Sequence, residues 1–274
     1  MDKSHRPDKL KYAEAVPTPV YHTSHQGNHM DDKNEMQVRP LYMEKQDLFK
    51  CRAIVTKIGS GEVNKKKYKW VQLNETIFHP KGGGQLSDEG TINGARVIYV
   101  HKVSLDKNRV DRFEILHCFD EAEELNFKEG DEVDLIVDES KRNLYSKMHT
   151  AGHVLAETVK EIFPELEGYH GNHDPKDGYV KFKMLSEIGF GKEEMMSKIQ
   201  PKLQLNLNKD VLVSVIQLPS GMRGIQIGEH AMPCGGTHVH NLTEIGRVEI
   251  TDVSINKKEK IVTIKYRLAD SIYI

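Results

Sequence analysis

The sequence predicts an α+β protein of two structural domains, and three patterns carry that prediction. Short stretches in which apolar and polar residues alternate fill the segment from residue 38 to residue 138. A long stretch with apolar residues at helical spacing then begins, and alternating stretches return towards the end of the chain. Alternation with a period of two is typical of strands, whereas a period near 3.6 is typical of a helix packed on a core. We therefore expect a small β-barrel domain at 38–138, followed at 139–274 by an α+β domain whose helices pack on an antiparallel sheet.

Residues 1–37 form a polar extension that is rich in His, Asp, Lys, Asn and Pro. Such a segment cannot bury enough apolar surface to offset the entropy lost on ordering, so we predict that it is disordered. The irregular spacing of its histidines favours disorder over a metal-binding tail; they are His5, His22, His25 and His29.

Four stretches of the first domain are predicted strands, and the third contains a hairpin. The Asn93-Gly94 pair is the turn signal there, because both residue types tolerate a positive φ. Many short strands between turns, without a convincing helix, favour a small barrel. The predicted strands are 48–58, 68–73, 91–100 and 131–137.

The second domain is predicted to begin with a long helix. Asp138 or Ser140 can cap it, and we expect it to run to about Phe163, where Pro164 stops it. The apolar residues expected on its buried face are Leu144, Met148, Leu155, Val159 and Ile162. The later predicted elements are strands at 179–184, 211–217, 247–255 and 260–267, and a helix at 192–208 with a kink at Pro201.

The composition excludes several classes of protein. A formal net charge of −2 means that any nucleic-acid contact must come from local patches, because the chain has no overall basic field. Its three cysteines are too few and too scattered for a disulfide framework, which favours a reducing compartment. No apolar run reaches the length needed to span a membrane, and the polar start does not resemble a secretory signal. We therefore expect a soluble, cytoplasmic protein.

Two short patterns predict a metal site. His149 and His153 are four residues apart, which places both imidazoles on one helix face with about 5–6 Å between their Cβ atoms. Cys234 and His238 lie on a glycine-rich segment much later in the chain. A set of three imidazoles and one thiolate suits tetrahedral Zn²⁺, although iron or cobalt could occupy the same ligands.

The glycine run that contains Gly82, Gly83, Gly84 and ends in Gln85 has two interpretations. It is either a tight turn that needs positive φ angles, or a place where bare backbone N–H groups approach a bound molecule. Under the second interpretation Gln85 offers both a donor and an acceptor.

A lysine-rich segment is the candidate surface for nucleic acid. Around Tyr68 and Trp70 it combines cations that can contact phosphates with aromatic rings that can stack on bases. A solvated hairpin loop explains the same residues equally well. The lysines concerned are Lys65, Lys66, Lys67 and Lys69.

Three segments, in the same order, resemble a known family. The stretches 76–90, 149–155 and 234–247 are similar to the glycine-rich signature and the metal motifs of the editing domain of alanyl-tRNA synthetases. His79 departs from the signature, which usually reads Phe-Tyr-Pro before the glycines. The chain has no room for an aminoacylation domain, so it resembles the free-standing alanyl-tRNA editing proteins of the AlaX type, in their medium-length class.

The resemblance implies a zinc-dependent hydrolase that removes serine, and in some members glycine, from tRNA(Ala). It implies tRNA as the partner, bound through the acceptor end, and it gives Gln85 and the preceding glycines a place beside the substrate. Thr150 is a further candidate for substrate binding, although we expect it to point away from the metal, as a helix-interior threonine would. Candidates for reading the serine hydroxyl or holding the attacking water come from the segment that forms part of the family's pocket wall; they are His170, Asn172 and His173.

Other interpretations stay open at this point. The chain could be a zinc-containing RNA-binding or interaction module without hydrolysis, or an editing domain of the threonyl type. A general zinc hydrolase is also conceivable, although the His-Glu-x-x-His pattern of common metalloproteases is missing from the sequence. The sequence does not choose between serine and glycine, or between a monomer and a homodimer.

Overall fold

A computed structural model describes residues 38–63, 66–105 and 112–269. The extension at 1–37, predicted to be disordered, lies outside the described residues, as does Lys65. No helix in the described part is long and apolar enough to cross a membrane.

The first half of the chain is built from strands. Seven of them form one antiparallel sheet in the order β6-β5-β9-β2-β3-β8-β7, while β1 and β4 form a short parallel pair. The strands are β1 (Arg39–Pro40), β2 (Lys50–Val63), β3 (Lys66–Leu73), β4 (Glu75–Thr76), β5 (Gly90–Ile92), β6 (Ala95–Val97), β7 (Tyr99–Ser104), β8 (Phe113–Asp120) and β9 (Glu132–Val137).

The expected closed β-barrel is not shown. Among the described residues the hydrogen-bonded order runs from β6 at one edge to β7 at the other, and no ladder joins these two strands. The two edge strands are consecutive parts of one segment. β6 pairs with β5, and β7, which begins directly after Ile98, pairs with β8, so no ladder runs between β6 and β7 themselves.

The hairpin predicted at Asn93-Gly94 is confirmed. Both residues have positive φ values, 47° and 84°, and they connect β5 to β6. This is the backbone that a two-residue turn needs to match the twist of its strands. Val133, Leu135 and Val137 show the expected alternation on β9, since they are buried while the residues between them are exposed.

The second half is α+β, as predicted. One antiparallel sheet has the order β10-β11-β16-β15, and a smaller one has the order β12-β13-β14. The elements are α1 (Glu139–Ile162), β10 (Leu166–Asn172), β11 (Gly178–Met184), α2 (Lys192–Leu207), β12 (Val213–Gln217), β13 (Arg223–Ile227), β14 (His230–Pro233), β15 (Val248–Asn256) and β16 (Ile261–Leu268).

Helix α1 is stabilised at both of its ends and along its buried face. The Asp138 side chain accepts a hydrogen bond from the backbone N–H of Lys141 at 3.0 Å and so caps the first turn. Glu139 near the start and Lys160 near the end oppose the partial charges of the helix dipole. Of the predicted apolar stripe, Met148, Leu155 and Val159 are fully buried, and Leu144 and Ile162 pack against the same core at half burial.

Arg142 joins α1 to the first half of the chain through a buried ion pair. Its Nε donates to Oδ1 of Asp88 at 2.8 Å, and its Nη2 contacts Oδ2 of the same carboxylate. The remaining donors reach the carbonyls of Gln46 and Ile77, both at 2.7 Å. A charge with about 1% of its side chain exposed is tolerated only when it is paired and hydrogen-bonded, as it is here. The pair holds α1 against the segment that carries the glycine run.

The buried apolar residues form two main clusters, one within 38–137 and one within 148–268. The domain boundary at 138/139, which lies between these two clusters, stays a prediction.

Some strands were not predicted from the sequence. β8 is buried at most of its positions, so it lacks the alternation that signals a strand. β10 has the opposite character, because it is mostly exposed and polar and therefore resembles a loop. The short strands β13 and β14 carry no clear pattern either.

Candidate metal centre

The four predicted ligands converge on one point. Nε2 of His149 lies 3.2 Å from Nε2 of His153, both on α1. Sγ of Cys234 lies 3.6 Å from each of these atoms and 3.2 Å from Nε2 of His238. All four donor atoms are within 4.8 Å of one another.

These separations fit a tetrahedral zinc ion. With Zn–N bonds of about 2.05 Å and Zn–S bonds of about 2.3 Å, tetrahedral angles place two nitrogens roughly 3.3 Å apart and a nitrogen and a sulfur roughly 3.6 Å apart. The distance between the His149 and His153 nitrogens and the three distances from Sγ of Cys234 lie within a few tenths of an ångström of these values. The donor set is therefore suited to zinc in both chemistry and spacing.

The loop that carries Cys234 and His238 can approach α1 because Gly236, two residues before His238, has no side chain. Cys234 directly follows β14, and its N–H donates to the Arg223 carbonyl at 3.3 Å. A Cβ at Gly236 would overlap the His149 ring and lie 2.6 Å from Oε1 of Gln85. Only a residue without a side chain can therefore pass between the loop and the first ligand.

Gln85 fixes the orientation of the His149 ring. Its Oε1 accepts from Nδ1 of His149 at 2.7 Å and from the backbone N–H of Thr237 at 2.9 Å. Its Nε2 donates to Oγ1 of Thr237 at 2.7 Å. Since an amide oxygen accepts only, Nδ1 of His149 must carry the hydrogen, which leaves the Nε2 lone pair for a metal. Gln85 is fully buried behind the ligand.

Thr150 fixes the orientation of the His238 ring. Its hydroxyl donates to the Ser146 carbonyl at 2.8 Å, so its oxygen accepts from Nδ1 of His238 at 3.1 Å. The Val239 N–H also donates to this oxygen, at 3.3 Å. The expectation that Thr150 points away from the metal site is wrong, because its hydroxyl contacts a ligand ring and orients it.

Burial keeps the ligand imidazoles neutral. The pKa of His149 is lowered well below its usual value, first by burial and then by the neighbouring histidines. Burial likewise depresses the pKa of His238 and lowers that of His153 to about 4. The pKa of the Cys234 thiol is raised by burial, against the opposing effect of the Gly236 N–H and the Arg223 guanidinium. A bound cation would reverse this last shift, because a coordinating thiol is deprotonated.

His173 forms a wall of the centre. Its ring is stacked on His149 with 4.8 Å between centroids, and its Nδ1 donates to the Tyr266 hydroxyl at 2.7 Å. That hydroxyl donates in turn to the Met148 carbonyl at 2.9 Å. A Cβ at Gly152 would overlap the His173 ring, so the glycine between the two helical ligands makes room for it. Burial lowers the pKa of His173 to about 3, and the ring is neutral at pH 7.

The glycine run is a tight turn that also lies beside the centre. Gly82 and Gln85 exchange two backbone hydrogen bonds, at 3.0 and 3.2 Å, and Gly83 and Gly84 have φ values of 57° and 80°. The Gly84 carbonyl accepts from the N–H of His173 at 2.8 Å. The interpretation as a tight turn with positive φ angles is therefore confirmed, and the conformation of this turn delivers Gln85 to the ligands. The approach of its backbone N–H groups to a bound molecule stays a prediction.

His170 and Asn172 do not join the buried cluster. His170 is exposed, with its ring near those of Tyr169 and Tyr179. Nδ2 of Asn172 donates to the Asp177 carbonyl at 2.8 Å and so closes the turn between β10 and β11.

The predicted lysines face acidic residues where their side chains are described. Nζ of Lys67 lies 3.9 Å from a carboxylate oxygen of Glu121, and Nζ of Lys69 donates to the Glu123 carbonyl at 2.8 Å. Lys66 starts β3, but its side chain is not among the described ones.

Four site residues were missed from the sequence: Gln46, Ser146, Arg223 and Thr237. Gln46 accepts from the His238 N–H at 3.0 Å, and Ser146 contacts the Thr237 hydroxyl at 2.7 Å. Arg223 binds the Cys234 carbonyl at 2.6 Å. Only Thr237 carried a signal, since it lies inside the Cys-Gly-Gly-Thr-His motif.

The fold and the four converging side chains define an α+β protein with a candidate metal site of three histidines and one cysteine. Residues 222–263 match the family model described as the threonyl and alanyl tRNA synthetase second additional domain.

The full-length comparisons are more specific. The chain is 31% identical over 224 residues to the alanyl-tRNA editing protein AlaX-M of Pyrococcus horikoshii, covering 77% of this chain and 89% of that protein. It is 30% identical over 197 residues to AlaX-L of the same organism, covering 66% of this chain and 46% of that protein. The alanine–tRNA ligase of Listeria welshimeri is 28% identical over 218 residues, which are 72% of this chain and 23% of the ligase. The chain belongs to the AlaX family of alanyl-tRNA editing proteins.

Proposed function

We propose that this protein is a trans-editing deacylase that hydrolyses the ester bond of mischarged tRNA(Ala), with seryl-tRNA(Ala) as its main substrate and glycyl-tRNA(Ala) as a second one. The observation that carries the proposal is the convergence of four metal ligands, two of them locked in the ligating tautomer, in a member of the AlaX family.

Zinc is the proposed metal, held by His149, His153, Cys234 and His238. When bound, it would supply Lewis-acid character and an anchor for the polar groups of the substrate. Four protein ligands make a closed set of the kind found in structural zinc sites. We therefore propose that the metal organises the pocket and orients the substrate at least as much as it activates water.

The chain's own residues hold this arrangement rigid. Gln85 and Thr150 keep two ligand rings in place through their Nδ1 hydrogens, so the site needs little reorganisation when the substrate enters. The proposed roles of Gln85, Gly82, Gly83, Gly84 and Thr150 are thus positioning roles beside the substrate.

Discrimination against alanine is proposed to come from a polar pocket that requires the serine hydroxyl. A site built to hydrogen-bond a hydroxyl rejects the analogue without it by large factors, because its buried polar groups are left unpaired. We expect the protein to spare alanyl-tRNA(Ala) for this reason. Charged tRNA as the substrate also supports a cytoplasmic location, which stays part of the proposal.

The main alternative is a zinc-containing RNA-binding module without hydrolysis. Against it stands the membership of the AlaX family, whose matching relatives are named as alanyl-tRNA editing proteins. A threonyl-type editing function is the weaker alternative, because the relatives that match most of the chain are alanyl-specific by name.

The test is deacylation of seryl-, glycyl- and alanyl-tRNA(Ala) by the wild type and by Cys234→Ala, with zinc content measured on the same samples. Cys51→Ala is the matched control, because it removes a thiol that packs against the other buried cluster. We expect rapid release of serine, little release of alanine, and loss of both zinc and activity in Cys234→Ala alone. A wild-type protein that holds zinc and releases none of the three amino acids would leave the binding module as the better interpretation.

A further inference from the structure

The outer face of β10 and β11 carries aromatic rings and lysines side by side. On β11 the buried residues Val180, Phe182 and Met184 alternate with outward-pointing ones, so the exposed side chains share one face. We call the following group the β10–β11 face: Tyr169, His170, Tyr179, Lys181 and Lys183.

The rings of this face lie close enough to form a continuous platform. The His170 ring is 6.4 Å from that of Tyr169 and 6.0 Å from that of Tyr179, measured between centroids. Tyr169 is 43% exposed and His170 is exposed as well. Such rings offer flat surfaces on which the bases of a single strand can stack without regard to sequence.

The two lysines stand over aromatic rings and not over carboxylates. Nζ of Lys181 is 5.4 Å from the centroid of Tyr179, and Nζ of Lys183 is 5.1 Å from that of Tyr169. Lys183 lies opposite Glu167 in the ladder, yet neither lysine makes an ion pair within the part of the chain that the structure describes. Their charges therefore stay available for phosphate groups.

The face leads directly into the metal centre. β10 ends at Asn172, and the next residue, His173, is stacked on the ligand His149. At about 3.3 Å per strand residue, His170 and His173 are roughly 10 Å apart along the chain. A single strand lying on the face would thus have its end beside the four ligands.

We propose that the β10–β11 face binds the single-stranded 3′ end of tRNA, with bases on the tyrosine and histidine rings and phosphates at Lys181 and Lys183. This rests on the proposed function for the identity of the RNA. The aromatic platform favours RNA over an acidic peptide, which would use the lysines without needing the rings.

The test compares binding of uncharged tRNA(Ala) with binding of the same tRNA lacking its terminal CCA. Tyr179→Ala should weaken binding of the full tRNA by about 5- to 100-fold, whereas Tyr179→Phe should bind as the wild type does. The pair Lys181→Gln and Lys183→Gln should reduce the slope of log affinity against log salt concentration by about 1.4 in magnitude, for two phosphate contacts on a single strand. The matched control is the pair Lys50→Gln and Lys57→Gln, two exposed lysines on β2 with the same charge change, which should alter neither quantity.

Glu167→Gln guards against effects of misfolding, because it should strengthen binding of the full tRNA by removing a carboxylate that shares the face. None of these variants should change the affinity for the shortened tRNA. Equal losses with both RNAs, or unchanged affinity in all of them, would overturn the assignment, and a response to the lysines without one to Tyr179→Ala would point to a purely ionic partner.

Deacylation separates the two proposals. If the wild type does not hydrolyse seryl-tRNA(Ala) but the binding pattern holds, the proposed function fails and the face stands. If hydrolysis proceeds normally while the face variants keep wild-type affinity for tRNA, the assignment of the β10–β11 face is refuted and the proposed function is kept.

Discussion

Replacing Gln85 by leucine should remove the hydrogen bonds that orient the His149 ring and the Thr237 backbone, while all four candidate ligands stay in the chain. The substitution removes the acceptor for Nδ1 of His149 and for the N–H of Thr237, two buried donors held at 2.7 and 2.9 Å. Each buried donor left unpaired costs about 1–3 kcal/mol, so the apoprotein should lose roughly 2–6 kcal/mol of unfolding free energy. Because the ring is then free to rotate or change tautomer, zinc affinity should fall by about 10- to 100-fold.

The assay is competition of the protein against a zinc chelator, with denaturant unfolding of the metal-free protein measured in parallel. Gln200→Leu is the matched control, since Gln200 bonds the Val248 carbonyl at 2.8 Å and the Ile250 N–H at 2.7 Å between α2 and β15. It should lower stability and leave zinc affinity unchanged. Gln85→Glu, which keeps an acceptor for the ring, should retain most of the affinity. Wild-type zinc affinity in Gln85→Leu, or an equal loss in Gln200→Leu, would refute the reasoning.

Three further substitutions test the centre, the buried histidine of the first half, and the ion pair between the halves. Gly236→Ala should abolish tight zinc binding, measured by metal content, because its Cβ would overlap a ligand ring. Gly235→Ala should bind zinc normally, because its Cβ would meet only Cε of Met43 at 3.9 Å, an ordinary van der Waals contact. His117 is fully buried and its pKa is lowered to about 4 by burial, so the unfolded chain binds its proton first and stability should fall by about 3 kcal/mol as the pH drops from 6.5 to 4. Urea unfolding at several pH values should show a shallower fall for His117→Gln, and an unchanged pH slope would contradict the assignment. Arg142→Met should cost about 3–5 kcal/mol in the same unfolding assay, since it leaves Asp88 buried without its partner, and a cost below 1 kcal/mol would speak against the ion pair as described.

The ligands could be predicted because each pair is local in the sequence. A spacing of four residues on a helix, and a Cys-Gly-Gly-Thr-His stretch, fix short-range geometry that needs no knowledge of the fold. The long helix α1 could be predicted for the same reason, because its cap at Asp138 and its stripe of apolar residues are both local patterns.

The support of the ligands could not be predicted, because it depends on contacts across the whole chain. Gln85 is 64 positions from His149 and 152 positions from Thr237. Nothing local distinguishes it from a glutamine that ends an ordinary turn. The expected barrel of the first half is not shown for a related reason, because alternation of apolar and polar residues identifies strands but not which strands pair.

His170 and His173 show the same limit for two histidines three positions apart. Both stand in a polar segment that resembles a loop, and no local pattern separates one from the other. The structure buries His173 against a ligand and leaves His170 exposed, because the end of β10 turns inward only after Asn172. Which of two neighbouring histidines enters a site is decided by the path of the backbone, which only tertiary packing determines.

The metal centre depends on contact between the two halves of the chain, because residues of the first half orient ligands of the second. The ligands all come from the second half of the chain, but Gln46 and Gln85, which hold His238 and His149, come from the first. Metal affinity therefore reports how well the two halves are docked, and docking is strengthened by the metal through mass action. A variant that weakens the contact between the two halves far from the centre would therefore bind zinc more weakly, and added zinc would restore the contact.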